Sequence, residues 1–109
     1  LIGQAKAKEL LYFGDMITAQ EALQFGIVNR VVPLAQLMET ANDWANRLAE
    51  KPAVAMRMLK AAVQSGAQTD LNTALNIEAQ CFAVTFATED RVEGMTAFVE
   101  KRKPNYKGR

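Results

Sequence analysis

Few residues of this chain could do chemistry, and several classes are excluded at once. No histidine occurs, which removes the usual general base, the nucleophilic triad and the commonest metal ligand together. Cys81 is the only cysteine, so no zinc-binding set can be assembled. No Gly-x-Gly-x-x-Gly or phosphate-loop pattern is present, and backbone cradling of a nucleotide has no support. Glu21, Glu89 and Asp90 stand where helices start, and capping and the helix dipole account for them. Glu78 lies inside a helix beside its apolar stripe, placed for partial burial, with a structural hydrogen bond or a catalytic role both open. Asp15, in Phe13-Gly14-Asp15, reads as a turn residue, and Cys81 beside Phe82 as a small core hydrophobe. What remains is one stripe near the end: Gly94, Phe98 and Lys101. It offers no side chain, then an aromatic ring, then a point charge. Val92, Met95, Thr96 and Val99 already supply the apolar stripe that docks this helix, so the second stripe needs another reason.

The elements that must position these residues are helices. Thr88 is spaced to cap a helix that opens on Glu89 and Asp90, with Lys101, Arg102 and Lys103 expected in its last turn and Pro104 as its stop. Ahead of it, Thr69-Asp70 should cap a long helix carrying Leu71, Leu75, Ala79, Phe82 and Phe86. Ala53 to Gln64 reads as a helix with Pro52 in its first turn and Ser65-Gly66 at its end. Leu34 to Glu50 carries Leu34, Leu37, Met38, Ala41, Trp44, Ala45 and Leu48 at helical spacing, as a packing face. Gln4 to Phe13 forms a helix that Gly14 can close in the left-handed conformation. Thr18-Ala19-Gln20-Glu21 is a capping box for a short helix ending before Gly26. Ile27 to Val32 is β-branched and bounded by Gly26 and Pro33, and reads as the one strand. The tail from Asn105 to Arg109 is expected to fray.

At 109 residues the chain suits one domain with a modest core. Hydrophobic residues make up 50% and charged residues 23%, an ordinary globular balance. A net charge of +1 gives no field that points to nucleic acid. The basic cluster from Lys101 to Arg109 reads as a solvated helix end, with nucleic-acid binding as a third and weaker reading. A single cysteine allows no intrachain disulfide and points to a reducing compartment. No apolar run approaches the ~20 residues of a membrane span, and no signal peptide is recognisable. The chain opens on Leu1-Ile2-Gly3 rather than Met, and its lone strand has no partner of quality. Both lead to the expectation of a piece of a longer protein.

Four stretches together resemble the C-terminal part of the enoyl-CoA hydratase/isomerase (crotonase) superfamily. They are Ala7-Lys8-Glu9-Leu10-Leu11-Tyr12-Phe13-Gly14-Asp15, the run from Ile17-Thr18-Ala19-Gln20-Glu21-Ala22 through Gly26-Ile27-Val28-Asn29-Arg30-Val31-Val32-Pro33, Pro52-Ala53-Val54-Ala55-Met56 running to Lys60, and Phe86-Ala87-Thr88-Glu89-Asp90-Arg91-Val92-Glu93-Gly94-Met95 through Ala97-Phe98-Val99-Glu100-Lys101-Arg102. The resemblance covers essentially the whole chain, in order, and the second and fourth stretches are the specific ones. Phe13 stands where many members have Thr before Gly-Asp, a departure at a pocket-adjacent turn with consequences for acyl-chain shape.

The resemblance implies a mainly α segment, about five to six helices with one short strand, forming the C-terminal helical and trimerisation part of an α/β crotonase fold. Residues 1–33 would end the crotonase core, and residues 34–109 would be the helical region that oligomerises and closes the CoA site. The implied reaction is hydration of a 2-enoyl-CoA through an enolate held in an oxyanion hole, with two glutamates as acid and base. All of those groups are expected upstream, so no catalytic residue falls in this chain and the segment alone should be inactive. The substrate carries coenzyme A and no separate cofactor or metal is implied. On the family pattern Phe98 packs near the adenine and Lys101 faces a CoA phosphate, a pairing of ring with stacking face and ammonium with anion that the second stripe can supply. Such a charge-assisted contact is worth roughly 1.5–3 kcal/mol. Phe82 and Phe86 match positions bordering the acyl or pantetheine region, with plain core packing as the competing account, and Trp44 reads as core or subunit contact. The implied partners are an acyl-CoA and further copies of the chain, as a trimer or dimer of trimers in the cytoplasm, with no nucleic acid and no membrane. The alternatives are an enoyl-CoA isomerase or another thioester reaction through the same enolate, and a non-catalytic helical interaction module.

Overall fold

Side-chain caps set where three helices of this chain begin, after Thr18, Asp70 and Thr88. In the computed structural model, which describes residues 2–109, the helices are α1 (Gly3–Phe13), α2 (Ala19–Gln24), α3 (Leu37–Ala49, entered through a 3-10 turn over Leu34–Gln36), α4 (Ala53–Gly66), α5 (Leu71–Phe86) and α6 (Glu89–Val99). The chain divides into two units, Leu1–Asn42 and Asp43–Arg109, with the division inside α3.

In the first unit the left-handed cap of α1 forms as its sequence requires: Gly14 sits at φ 68° and its N–H donates to the Leu10 carbonyl at 3.0 Å. The capping box of α2 is complete. The Glu21 N–H donates to Thr18 Oγ1 at 3.2 Å, and the Thr18 N–H donates to Glu21 Oε2 at 2.8 Å. Those bonds to Thr18 hold the Glu21 carboxyl below its ordinary range.

The expected strand does not form. Among the described residues no strand occurs, and Ile27 to Val32 runs as turn and irregular backbone. The physical reason lies in α2. Gly26 takes φ 75°, and the Ile27 N–H closes on the Ala22 carbonyl at 2.9 Å. The first amide that a strand would offer to a neighbour therefore terminates a helix, and β-branching alone cannot supply a pairing partner.

In the second unit α4 and α5 pack as a hairpin. Pro52 caps α4 rather than occupying its first turn, and α4 continues to Gly66. Gly66 ends α4 against Ala74 of α5, where a Cβ would make an ordinary contact at 3.5 Å. Asp70 caps α5 by accepting from the Thr73 N–H at 3.1 Å and from the Thr73 hydroxyl at 2.6 Å. Those two bonds hold its carboxyl below the ordinary range.

The apolar stripes fold as helical faces but remain exposed. Ala22 and Ala97 are the only buried hydrophobic residues among those described. Leu34 is 86% exposed, and Met38, Trp44 and Leu48 of the expected packing face are exposed too. The same correction applies to α6, where Val92, Met95 and Val99 are all exposed and the buried residues are Asp90 and Ala97. Glu78 and Cys81 are also not buried: Glu78 is exposed and Cys81 half-buried. Among the described residues no helix is long and apolar enough to cross a membrane.

Candidate functional site

The site is built on α6 and the segment that follows it. Thr88 caps the helix as its spacing requires, accepting from the Arg91 N–H at 3.1 Å while its hydroxyl donates to the Thr85 carbonyl at 2.7 Å. The far end departs from expectation. The helix stops at Val99, before the basic run and before Pro104. Glu100 donates its N–H to Thr96 O at 2.9 Å, and the Arg102 N–H reaches back to Ala97 O at 3.0 Å. Between them Lys101 takes φ 54°, the one positive φ at a non-glycine residue among those described. The last carbonyls are thus closed by backbone, and the lysines and arginine do not sit in a last helical turn.

Residues 102–109 do not fray. They turn back along α6 as a strap. Arg102 forks onto Glu93, with Nη1 to Oε1 at 2.6 Å and Nη2 to Oε2 at 2.9 Å, and its Nε reaches Glu100 at 2.6 Å. The Asn105 N–H donates to Glu93 Oε1 at 2.7 Å. The Asp90 carboxylate, 3% exposed, accepts from the N–H groups of Lys107 at 2.7 Å and Gly108 at 2.8 Å. The Asp90 N–H donates to the Arg109 carbonyl at 3.0 Å. A buried carboxylate needs this kind of partnering, and here the chain's last residues provide it. Lys103 pairs with Glu50 at 3.1 Å and Arg109 with Glu89 at 3.0 Å. The strap also borders a cleft of about 410 Å³ against Ala49 to Ala53.

This arrangement explains Gly94. A Cβ at that position would lie 3.1 Å from Tyr106 Oη and 3.4 Å from Tyr106 Cε1. The glycine makes room for the strap's ring, so it leaves the ligand stripe to which its spacing had assigned it. Phe98 and Lys101 remain. Phe98 is 85% exposed. Within Lys101-Arg102-Lys103, Lys101 is the member without an ion-pair partner among the described residues.

Electrostatically the strap is held by charge. Glu93 is lowered to about 2, first by the Arg102 guanidinium and then by the Asn105 N–H. Arg102 is correspondingly raised by Glu93 and then by Glu100.

Phe82 and Phe86 form a separate pair on α5, with ring centroids 5.5 Å apart and planes at 34°. The Arg91 guanidinium lies 4.3 Å from the centre of the Phe86 ring, and its Nε donates to the Phe86 carbonyl at 3.0 Å. Phe82 lines an apolar groove of about 310 Å³ between α4 and α5, with Met58, Leu59 and Ala62 across from it and Glu78 and Cys81 alongside. The four candidate residues thus fall into two places. Phe98 lies nine residues beyond the start of α6, roughly 14 Å along its axis, whereas Phe86 ends α5.

Asp90, Glu93 and Tyr106 are the residues that sequence reasoning missed. Asp90 read as a dipole-favoured acid and Glu93 carried no assignment. One signal was present: glycine inside a helix costs about 1 kcal/mol relative to alanine, so Gly94 implied a close approach, although its spacing did not name Tyr106 as the group that approaches. Among the described residues no group of His, Cys, Asp and Glu could hold a metal ion.

The whole chain, residues 1–109, matches the family model described as enoyl-CoA hydratase/isomerase. It is 47% identical over 106 residues to the crotonyl-CoA hydratase of Syntrophomonas wolfei subsp. wolfei, covering 97% of this chain and 41% of that one. It is 44% identical over 103 residues to the short-chain-enoyl-CoA hydratase of Clostridium acetobutylicum, covering 94% and 40%. Its structure superimposes on the crystal structure of an enoyl-CoA hydratase from Bacillus anthracis with a TM-score of 0.96 at 46% identity, covering 100% of this chain and 42% of that one. The chain spans about two fifths of the length of these relatives.

Proposed function

Because the chain belongs to the enoyl-CoA hydratase/isomerase family, we propose that it serves an enzyme hydrating short 2-enoyl-CoA thioesters, as the C-terminal helical part that holds the nucleotide end of coenzyme A. The observation that carries this reading is the pairing of Lys101 with Phe98 at the end of α6. Lys101 is the left-handed residue that closes the helix, at φ 54°, with its own N–H and that of Arg102 on the Phe98 and Ala97 carbonyls at 3.3 and 3.0 Å. The side chain kept there is an ammonium without an ion-pair partner among the described residues. Three residues before it stands the exposed ring of Phe98. A stacking face for adenine and a point charge for phosphate are the two things a CoA nucleotide requires.

The chemistry itself belongs to other residues. Addition of water across the 2-enoyl bond needs an acid and a base, and donors aimed at the thioester oxygen as the enolate develops. This chain has no histidine, and the carboxylates of its site are committed to the strap. Its contribution is binding, with Phe98 and Lys101 at the nucleotide and the Phe82–Phe86 pair at the acyl or pantetheine side. The exposed apolar faces of α1, α3 and α5 serve as contacts with the rest of the enzyme and between subunits of a trimer or paired trimers. The free thiol of Cys81 suits a cytoplasmic enzyme.

The experiment is turnover of crotonyl-CoA and of a 3-enoyl-CoA by the full-length protein. Formation of 3-hydroxybutyryl-CoA from crotonyl-CoA is the expected result. Double-bond migration without hydration would replace the hydratase with an isomerase. Turnover of neither thioester would leave another thioester reaction through the same enolate, or a non-catalytic interaction module.

A further inference from the structure

The strap that α6 carries raises a question its stability alone does not answer: why a buried carboxylate and a doubly engaged one should both be spent on the last residues of the chain. We propose that Asp90 and Glu93 are positioning residues for Lys101, fastening residues 102–109 along α6 so that Lys101 stays in its left-handed turn with its ammonium free for an anionic ligand. This rests on the reading of Lys101 as a CoA-phosphate partner.

The geometry runs from α6 to Lys101 in short steps. Glu93 takes both terminal nitrogens of Arg102, at 2.6 and 2.9 Å, and the N–H of Asn105 at 2.7 Å. Arg102 in turn holds Glu100 through Nε at 2.6 Å and closes its own N–H on Ala97 O at 3.0 Å. Both neighbours of Lys101 are therefore pinned, one on each side, and the residue between them has little freedom to return to right-handed backbone. Asp90 holds the other end of the strap through the N–H groups of Lys107 and Gly108 at 2.7 and 2.8 Å. Arg102 is also the cation most able to compete for a ligand's phosphate, since its planar fork suits such anions. Glu93 occupies that fork and leaves the anion to Lys101.

The test uses the full-length enzyme with coenzyme A and crotonyl-CoA as probes. Glu93→Ala and Asp90→Asn should each release exchange protection at the amides of Asn105, Lys107 and Gly108. Each should raise KM for crotonyl-CoA and the dissociation constant of coenzyme A about fivefold, with kcat held within twofold. In a Lys101→Ala background the same substitutions should add little further loss, because they act through that side chain. If Asp90→Asn does not fold, removal of residues 107–109 takes away the strap groups that Asp90 holds and should give the same loss of affinity, with exchange protection read at Asn105. Released protection with unchanged affinity would overturn the positioning role while leaving Lys101 as ligand. Additive losses in the Lys101→Ala background would overturn it equally. Unchanged affinity in Lys101→Ala itself would instead overturn the function proposed for Lys101.

Discussion

Glu93 and Arg102, nine residues apart, meet fork to fork: Oε1 accepts from Nη1 at 2.6 Å and Oε2 from Nη2 at 2.9 Å. That pair converts the end of α6 from a helix with a loose tail into a helix with a fixed return. It has a pH signature. The Glu93 carboxyl lies at about 2 in the folded chain, against an ordinary value of 4.5, chiefly through Arg102. A carboxylate depressed on folding contributes stability that is fully present above its unfolded value and is lost as pH falls through its folded one. The strap should therefore hold above about pH 4.5 and loosen progressively toward about pH 2. Tyr106 ring resonances, followed by NMR across that range, should report the release. Glu93→Gln should flatten the transition, and identical profiles for the two proteins would show that the pair does not govern it.

Gly94 should accept alanine and nothing much larger. Alanine there gains helix propensity of about 1 kcal/mol, but its Cβ would stand 3.1 Å from Tyr106 Oη. The two effects oppose, so Gly94→Ala should be near neutral by urea unfolding, with a small displacement of Tyr106. Gly94→Leu has no such balance and should lift the strap from α6. Limited trypsin digestion would then cut after Lys107 faster than in wild type. Equal cleavage rates in Gly94→Leu and wild type would show that Tyr106 does not dock on this glycine in solution.

The 109-residue chain alone should self-associate. Leu11, Tyr12, Phe13 and Leu34 each expose three quarters or more of their surface, and Phe82 and Leu71 are largely exposed as well. Apolar area on that scale seeks cover. Sedimentation of the isolated chain should show concentration-dependent association and dye binding to exposed apolar surface. A monomer over a wide concentration range, with no dye response, would favour a stand-alone helical module.

What the sequence made legible was local, and what it hid was long-range. Thr18 with Glu21, Asp70, Thr88 and Gly14 each declare a helix end through bonds spanning three or four residues, and each forms as its type and spacing dictate. The strand at Ile27 to Val32 failed because a strand is a pairing and no single stretch contains its partner. The exposed Val92, Met95 and Val99 failed for the same reason: their spacing describes a face without saying what lies on it. The strap was hidden because its bonds cross from Asp90 and Glu93 to residues 12 to 18 positions away. Backbone N–H groups of the tail, which every sequence offers alike, make most of them. Lys101 was legible as a charge on a stripe, but its left-handed backbone was not.

That backbone also gives the most direct test of the account. Lys101→Ala and Lys101→Gly remove the same ammonium but treat φ 54° differently. In the full-length enzyme both should weaken coenzyme A binding about tenfold with kcat largely retained, the loss of one charge-assisted contact. Only Lys101→Gly should also raise resistance to denaturant, by ~1 kcal/mol over Lys101→Ala, because glycine meets no Cβ penalty there. Weaker binding alongside a more stable fold is the predicted result for Lys101→Gly. Wild-type affinity for coenzyme A in both variants would contradict the account and return Lys101 to a solvated turn.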